Sequence, residues 1–385
     1  MRFHHANRCV LSSLTLAALL GVAGCGDSPG PSPNPGPELQ CADGIPTIGV
    51  AGESVTEVYP LTWDEEGIAT VDLRVPDDLT ALAVVADDDD QYTAFVGIRQ
   101  QGRQYVNLRS DPRGTDAPFF HTWNLAAALT FPVNEDTSLA PGCVRIRAVS
   151  ERGTVPGTLH VSSRRTAPGG TLRIDLVLVG DTTLPGVTME EVVDEVSALL
   201  GELGLAVAVD VGVATVAGNE FPAVDDEGTY ALRASYVPED PTRIPVYLIQ
   251  GFQDELDVLG FAGGIPGPNG VPGTPTAGVI VAVDAHLGEF DEVSVMLMAE
   301  TVVHELGHQL GLFHTTESDG GLFDPIADTP ECRPAFDQDD DGELSAEECE
   351  DIDGRNVMFW VSGSFRQREL SEWQRRVIEL APVAR

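Results

Sequence analysis

His304-Glu305-Leu306-Gly307-His308-Gln309-Leu310-Gly311-Leu312-Phe313-His314 is the stretch whose reading decides the fold, and it closes a run from about Glu292 to Leu310 patterned as a helix. Residues four apart on a helix share one face, so His304 and His308 can turn both imidazoles toward one ion. Gly311 can adopt the left-handed conformation that ends a helix, which turns the chain and brings His314 to a third ligand position. Three neutral imidazoles leave one position of a tetrahedral zinc open, the arrangement of a catalytic rather than a closed structural site. Zinc lowers the pKa of a water it binds to about 7, and Glu305, next to His304, is placed to take the proton as that water attacks a peptide carbonyl. The short HExxH pattern arises by chance in about one per cent of chains this long; the added Gly and third His lower that to about one in 10⁵.

Upstream of this helix, strand and helix patterns alternate. Thr171 to Val179 reads as a buried strand, Thr188 to Leu203 as a helix with acids in its first turn, and Leu205 to Val216, Ile244 to Ile249 and Gly278 to Val283 as further strands. Gly260 to Gly273 reads mostly as loop. The expectation is an α/β domain with a mixed sheet, two long helices and zinc in a cleft, over residues 166–385.

Residues 41–165 show a different pattern. Short alternating runs (Ala69 to Val75, Ala81 to Val85, Tyr92 to Ile98, Gln104 to Leu108, Cys143 to Val149, Thr158 to Val161) are separated by Gly, Pro and Asp, as in an all-β sandwich. His121 and His160 stand alone and are not read as ligands, and Asp87 to Asp90 reads as a solvated turn, with calcium binding as the alternative. Arg164 to Gly170 reads as an interdomain linker, with Arg164-Arg165 a processing site as the alternative.

Residues 1–24 have the form of a secretory leader, with Arg2 and Arg8 before an apolar run from Cys9 to Val22 that is short for a membrane span. Val22-Ala23-Gly24-Cys25 resembles the lipobox of bacterial lipoproteins, which implies lipid on Cys25 and export to the outer membrane, cell surface or periplasm. A Pro-rich tether follows, over residues 25–40. Of six cysteines, Cys41, Cys143, Cys332 and Cys349 remain, and Cys41 with Cys143 and Cys332 with Cys349 are favoured because each pair then falls within one domain. The chain of 385 residues has a formal net charge of −39, with only 22 Lys plus Arg, which excludes a nucleic-acid phosphate backbone as partner. Protein or peptide substrates, a membrane reached through the lipid, and a monomer are expected.

The zinc motif resembles that of the metzincin metallopeptidases, HExxHxxGxxH, at every fixed position. The resemblance implies that Met358, in Asn356-Val357-Met358-Phe359-Trp360, forms the methionine turn beneath the metal. Within that clan the segments Leu259-Gly260-Phe261-Ala262, Asp328-Thr329-Pro330 and Leu370-Ser371 with Gln374 resemble the pappalysin-like family, over about Thr171 to Pro382. It implies an edge strand around Gly260 to Ile265 that aligns peptide by backbone pairing. The chain departs from the family at Trp360, where several members have a Tyr, and at Thr315-Thr316-Glu317. An indole cannot ligate zinc or titrate near neutrality, so a tyrosine-assisted step is not available there.

Residues 337–348 match an EF-hand calcium loop, with Asp337, Asp339 and Asp341 as oxygen donors, Glu343 through its carbonyl, Gly342 at the sharp turn and Glu348 bidentate. Asp319, Asp324 and Asp328 are candidates for a further cation site. The whole is read as a lipid-anchored zinc metalloendopeptidase with structural calcium. The alternative is a surface-displayed, metal-stabilised binding protein or inactive homologue acting through its sandwich.

Overall fold

The computed structural model describes residues 39, 41–49, 54–88, 91–106, 124–153, 156–217, 223–224, 226–253 and 258–385; the leader, Cys25, the tether apart from residue 39, and His121 lie outside them. Among the described residues the N-terminal half has eight strands: β1 (Ser54–Leu61), β2 (Ile68–Val75), β3 (Ala81–Asp87), β4 (Thr93–Gln100), β5 (Arg103–Gln104), β6 (Ala126–Phe131), β7 (Gly142–Ser150) and β8 (Gly157–Arg164). They pair antiparallel in two sheets, ordered β1-β8-β3-β6 and β2-β7-β4-β5. One apolar core joins the two sheets, with Leu73, Phe95, Val144 and Ile146 from one and Leu82, Val84, Leu129 and Val161 from the other. Alternate residues of each strand point to opposite faces, so β2 and β7 alternate in burial, whereas β3 and β6 are buried on both faces. Cys41 is bonded to Cys143 on β7, with Cα atoms 5.3 Å apart.

The second half begins with β9 (Thr171–Val179), α1 (Met189–Glu202), β10 (Ala208–Val216), β11 (Ala223–Val224), α2 (Asp226–Ser235), β12 (Arg243–Ile249) and β13 (Gly251–Phe252). It continues with β14 (Gly260–Ala262), β15 (Val279–Ala282), α3 (Val295–Leu310) and α4 (Glu372–Leu380). The main sheet runs β10-β9-β12-β15-β14, parallel throughout except for antiparallel β14 at its edge. Strand alternation divides two cores: Ile244, Val246 and Leu248 of β12 pack toward α1 and α3, while Tyr247 and Ile249 face Leu232 of α2. Burial on both faces explains why the second halves of β9 (Leu176 to Val179) and β12 (Val246 to Ile249) read as continuous apolar runs rather than alternating ones.

Helix ends follow local chemistry. Thr188 and Glu191 form a reciprocal capping box at α1, satisfying two otherwise orphaned amides. Gly311 ends α3 at φ 110°, and Leu312 N–H returns to Gly307 O at 2.9 Å, so the chain reverses where the glycine permits it.

Two sequence expectations need correction. The domain has α2 and α4 besides the two long helices; α4 is short and amphipathic, and is fixed by a second capping box, Ser371 with Gln374. Arg164 is no linker residue but the end of β8, 2% exposed, which removes the dibasic pair as an accessible processing site. Its Nη1 donates to the carbonyls of Glu379 and Ala384, each at 2.7 Å, so an otherwise costly buried charge is held by the C-terminal end of the chain. Among the described residues no helix is long and apolar enough to cross a membrane.

Candidate metal centre

Helix α3 carries His304, Glu305 and His308, all at most 2% exposed, and the turn after Gly311 delivers His314, 3% exposed. The three Nε2 atoms converge: His314 Nε2 lies 3.1 Å from that of His308 and 3.3 Å from that of His304. Each ring is oriented through its other nitrogen. His304 Nδ1 meets Val357 O at 2.7 Å, His308 Nδ1 meets Leu312 O at 2.7 Å, and His314 Nδ1 faces Glu317 Oε2 at 3.2 Å. A carbonyl oxygen only accepts, so His304 and His308 carry their protons on Nδ1 and turn unprotonated Nε2 lone pairs inward. Lone pairs this close repel one another unless a cation sits among them, so the donor set fits a zinc ion by its own chemistry. Glu317 was not singled out as a partner from sequence; the signal was its i+3 spacing from His314 within the altered Thr315-Thr316-Glu317 run.

Glu305 lies against the sheet edge. A Cβ added at Gly260 would stand 3.3 Å from Glu305 Cγ, so β14 passes directly beside this carboxyl group. Burial pushes the Glu305 carboxyl up to about 8, opposed by a hydrogen bond from the Ala262 amide and by the charge of Arg233. Arg233, on α2, is itself buried, stacks 4.8 Å over the Phe261 ring and reaches Phe261 O at 3.4 Å. No sequence signal marked it, because its place depends on how α2 crosses the sheet.

Asn356 to Phe359 form a turn under the metal site, closed by Phe359 N–H to Asn356 O at 3.0 Å and Met358 N–H to Asn356 Oδ1 at 2.9 Å. Val357 O orients His304, and Met358 O accepts Thr315 N–H at 3.0 Å, so one turn braces both the helix and the segment bearing His314. Met358 is fully buried, and a Cβ at Gly307 would overlap its Sδ, which explains why the helix carries a glycine between its two histidines. Trp360 points away from this centre and donates its indole N–H to Leu344 O at 2.7 Å.

The acidic loop gathers Asp337, Asp339 and Asp341, whose ligand oxygens lie within 4.8 Å of one another. Glu348 stands outside that group: Oε1 accepts Gln338 N–H at 2.6 Å and Oε2 accepts Ser345 N–H at 2.9 Å, tying the two ends of the loop together. Glu343 N–H donates to Asp341 Oδ1 at 2.8 Å. Cys332 and Cys349 are bonded, Cα atoms 5.8 Å apart, and pack with Leu344, Phe359 and Trp360. Asp319, Asp324 and Asp328 do not converge: Asp319 accepts Gly321 N–H, Asp324 accepts Ile326 N–H, and Asp328 accepts Trp373 N–H at the start of α4.

Neither protein-family models nor curated proteins match the chain. Among solved structures it is similar to mirolysin in complex with compound 9 at 14% identity and a TM-score of 0.39, over 55% of this chain and 91% of that one. It is also similar to an archaemetzincin from Methanopyrus kandleri, at 20% identity and a TM-score of 0.26, over 37% of this chain and 76% of that one. Metalloproteinase-II from Bacteroides fragilis matches at 18% identity and a TM-score of 0.27, over 42% and 50% of the two chains. These structural neighbours are metallopeptidases.

Proposed function

We propose that the chain is a zinc metalloendopeptidase of the metzincin type, pappalysin-like in residues 166–385. The single observation behind this reading is the convergence of three Nδ1-oriented imidazoles beside a buried carboxylate and an open sheet edge. His304, His308 and His314 would hold the zinc, which would supply a Lewis acid for the scissile carbonyl and lower the pKa of the attacking water. Glu305 then acts as general base, taking a proton from the attacking water and passing it to the leaving amine. Burial raises the Glu305 carboxyl to about 8, and the Ala262 amide and Arg233 oppose that rise, favouring the ionised form that can accept the proton. An extended peptide adds to β14 through the Gly260 backbone groups and the Ala262 carbonyl, which lie on the edge away from β15, the Ala262 N–H being held by Glu305. Met358 fills the methionine-turn role, bracing His304 through its neighbour Val357.

Asp337, Asp339 and Asp341, with the Glu343 carbonyl and with Glu348 once it turns from the Gln338 and Ser345 amides, take up calcium in a structural role, stiffening the segment that leads to Met358 through the Cys332–Cys349 disulfide and Trp360. Residues 41–165 are an accessory sandwich, and a leader (1–24), lipid on Cys25 and the tether (25–40) place a monomer on a bacterial membrane facing peptide substrates.

One experiment separates the two metals. Purified protein stripped with a chelator loses casein cleavage; zinc at one equivalent restores it, and calcium alone restores none but raises the melting temperature. Cleavage that survives metal removal would sink the peptidase reading, and an unmoved melting temperature would sink the calcium assignment.

A further inference from the structure

The two-sheet N-terminal half grips the second half at the elements that bear the chemistry. Asn124, just before β6, donates from Nδ2 to Gly263 O at 2.8 Å, the carbonyl immediately beyond β14. Gly263 N–H already donates to Gly278 O at 3.2 Å, so the Asn124 side chain supplies the next rung of the ladder where β15 has not yet begun. The side chain is fixed from its own side: Asn124 Oδ1 accepts Leu125 N–H at 2.8 Å, and its backbone exchanges two hydrogen bonds with Thr93, at 2.7 and 2.9 Å.

The loop after β14 is clamped between this half and the metal-site helix. On one side Thr276 Oγ1 reaches Ala126 O at 3.4 Å, and Val271 packs with Val85, Ala126 and Ala128. On the other, Gly267 N–H donates to Gln309 O at 3.0 Å, and Asn269 bonds both the backbone and the side chain of Gln309. Thr130 of β6 presses on the turn to His314, its Cγ2 lying 2.9 Å from where a Gly311 Cβ would be.

In the β14–β15 ladder Leu259, Phe261 and Gly263 face β15, leaving Gly260 and Ala262 to the open edge beside Glu305. A strand of three residues has few rungs of its own, so its outer edge is only as well placed as its anchors. We propose that Asn124 is a positioning residue for peptide binding, and that the N-terminal half is a fixed wall of the active site rather than a spacer or a removable segment. This rests on the peptidase reading above.

The test uses full-length, zinc-loaded protein carrying Asn124→Asp, which keeps the volume and the acceptor for Leu125 N–H but loses the donor to Gly263 O. Asn124→Ala is run beside it in case the aspartate variant fails to fold, and Asn124→Gln serves as the variant that retains a donor. The expected result is a KM for extended peptides raised about fivefold with kcat within about twofold, from the loss of one hydrogen bond. Amide exchange over residues 259–264 is expected to accelerate about fivefold in the same variants, with zinc per chain unchanged and Asn124→Gln nearer to wild type. Wild-type exchange and wild-type KM in both the Asp and Ala variants would overturn the proposal. If wild type cleaves no peptide, the peptidase reading falls by itself, and the exchange measurement still decides whether Asn124 holds β14.

Discussion

Glu305→Gln is expected to lower kcat by about 10²–10⁴-fold while leaving zinc per chain and the melting curve close to wild type. The substitution is nearly isosteric, and its amide oxygen can still accept the Ala262 N–H that the carboxylate now takes. What it cannot do is hold a proton taken from water. Because Glu305 bonds to the sheet edge and not to the imidazoles, the ligand set survives the change. The loss therefore belongs to the chemical step, and single-turnover kinetics on metal-replete protein read it directly. A kcat within threefold of wild type would remove Glu305 as general base.

Gly307→Ala is the second large effect, and two terms compete in it. Alanine favours the helix by about 1 kcal/mol over glycine. Against this, the new methyl overlaps Met358 Sδ and comes within 3.1 Å of its Cε and 3.6 Å of Leu312 Cδ1, in a fully packed interior. Overpacking of this kind costs about 1–3 kcal/mol, and the backbone of Met358 cannot step aside, being tied to Asn356 and Thr315. Displacement of the turn moves Val357 O, which orients His304, and loss of such a partner costs about 10- to 100-fold in metal affinity. The expected outcome is a lower melting temperature and weaker zinc binding, both recovered in part when Met358→Ala is added. A variant that melts higher and binds zinc as wild type does would show that helix propensity wins and that Met358 has room to move.

The parts of this molecule legible in sequence are those set by residues close along the chain. His304, His308, Gly311 and His314 announce a helix, its end and three converging rings within eleven residues, and the structure brings those rings together. Thr188 with Glu191 marks the start of α1 for the same reason. Both disulfides were legible by their domain bookkeeping. What escaped depends on distant packing. Arg233 enters the site only because α2 lies over β12 and β14, and Asn124 only because a sheet from the other half of the chain ends beside Gly263. Arg164 was misread because a charged pair before Pro and Gly looks like a linker, while its guanidinium is caged by the nearby carbonyls of Ala167 and Gly169 together with those of Glu379 and Ala384, more than two hundred residues away. The three loop aspartates were legible as a motif, but not the turn of Glu348 toward backbone amides at both ends of that loop.

The account stands on one ligand set, and X-ray absorption at the zinc edge of the purified, metal-replete protein addresses it most directly. One zinc per chain with three imidazole nitrogens at about 2.0–2.1 Å and one light oxygen ligand is the predicted result. Loss of that signal in His308→Ala is part of the same prediction. A closed four-ligand shell with no oxygen from solvent, or a zinc content unchanged by removal of His308, would contradict it.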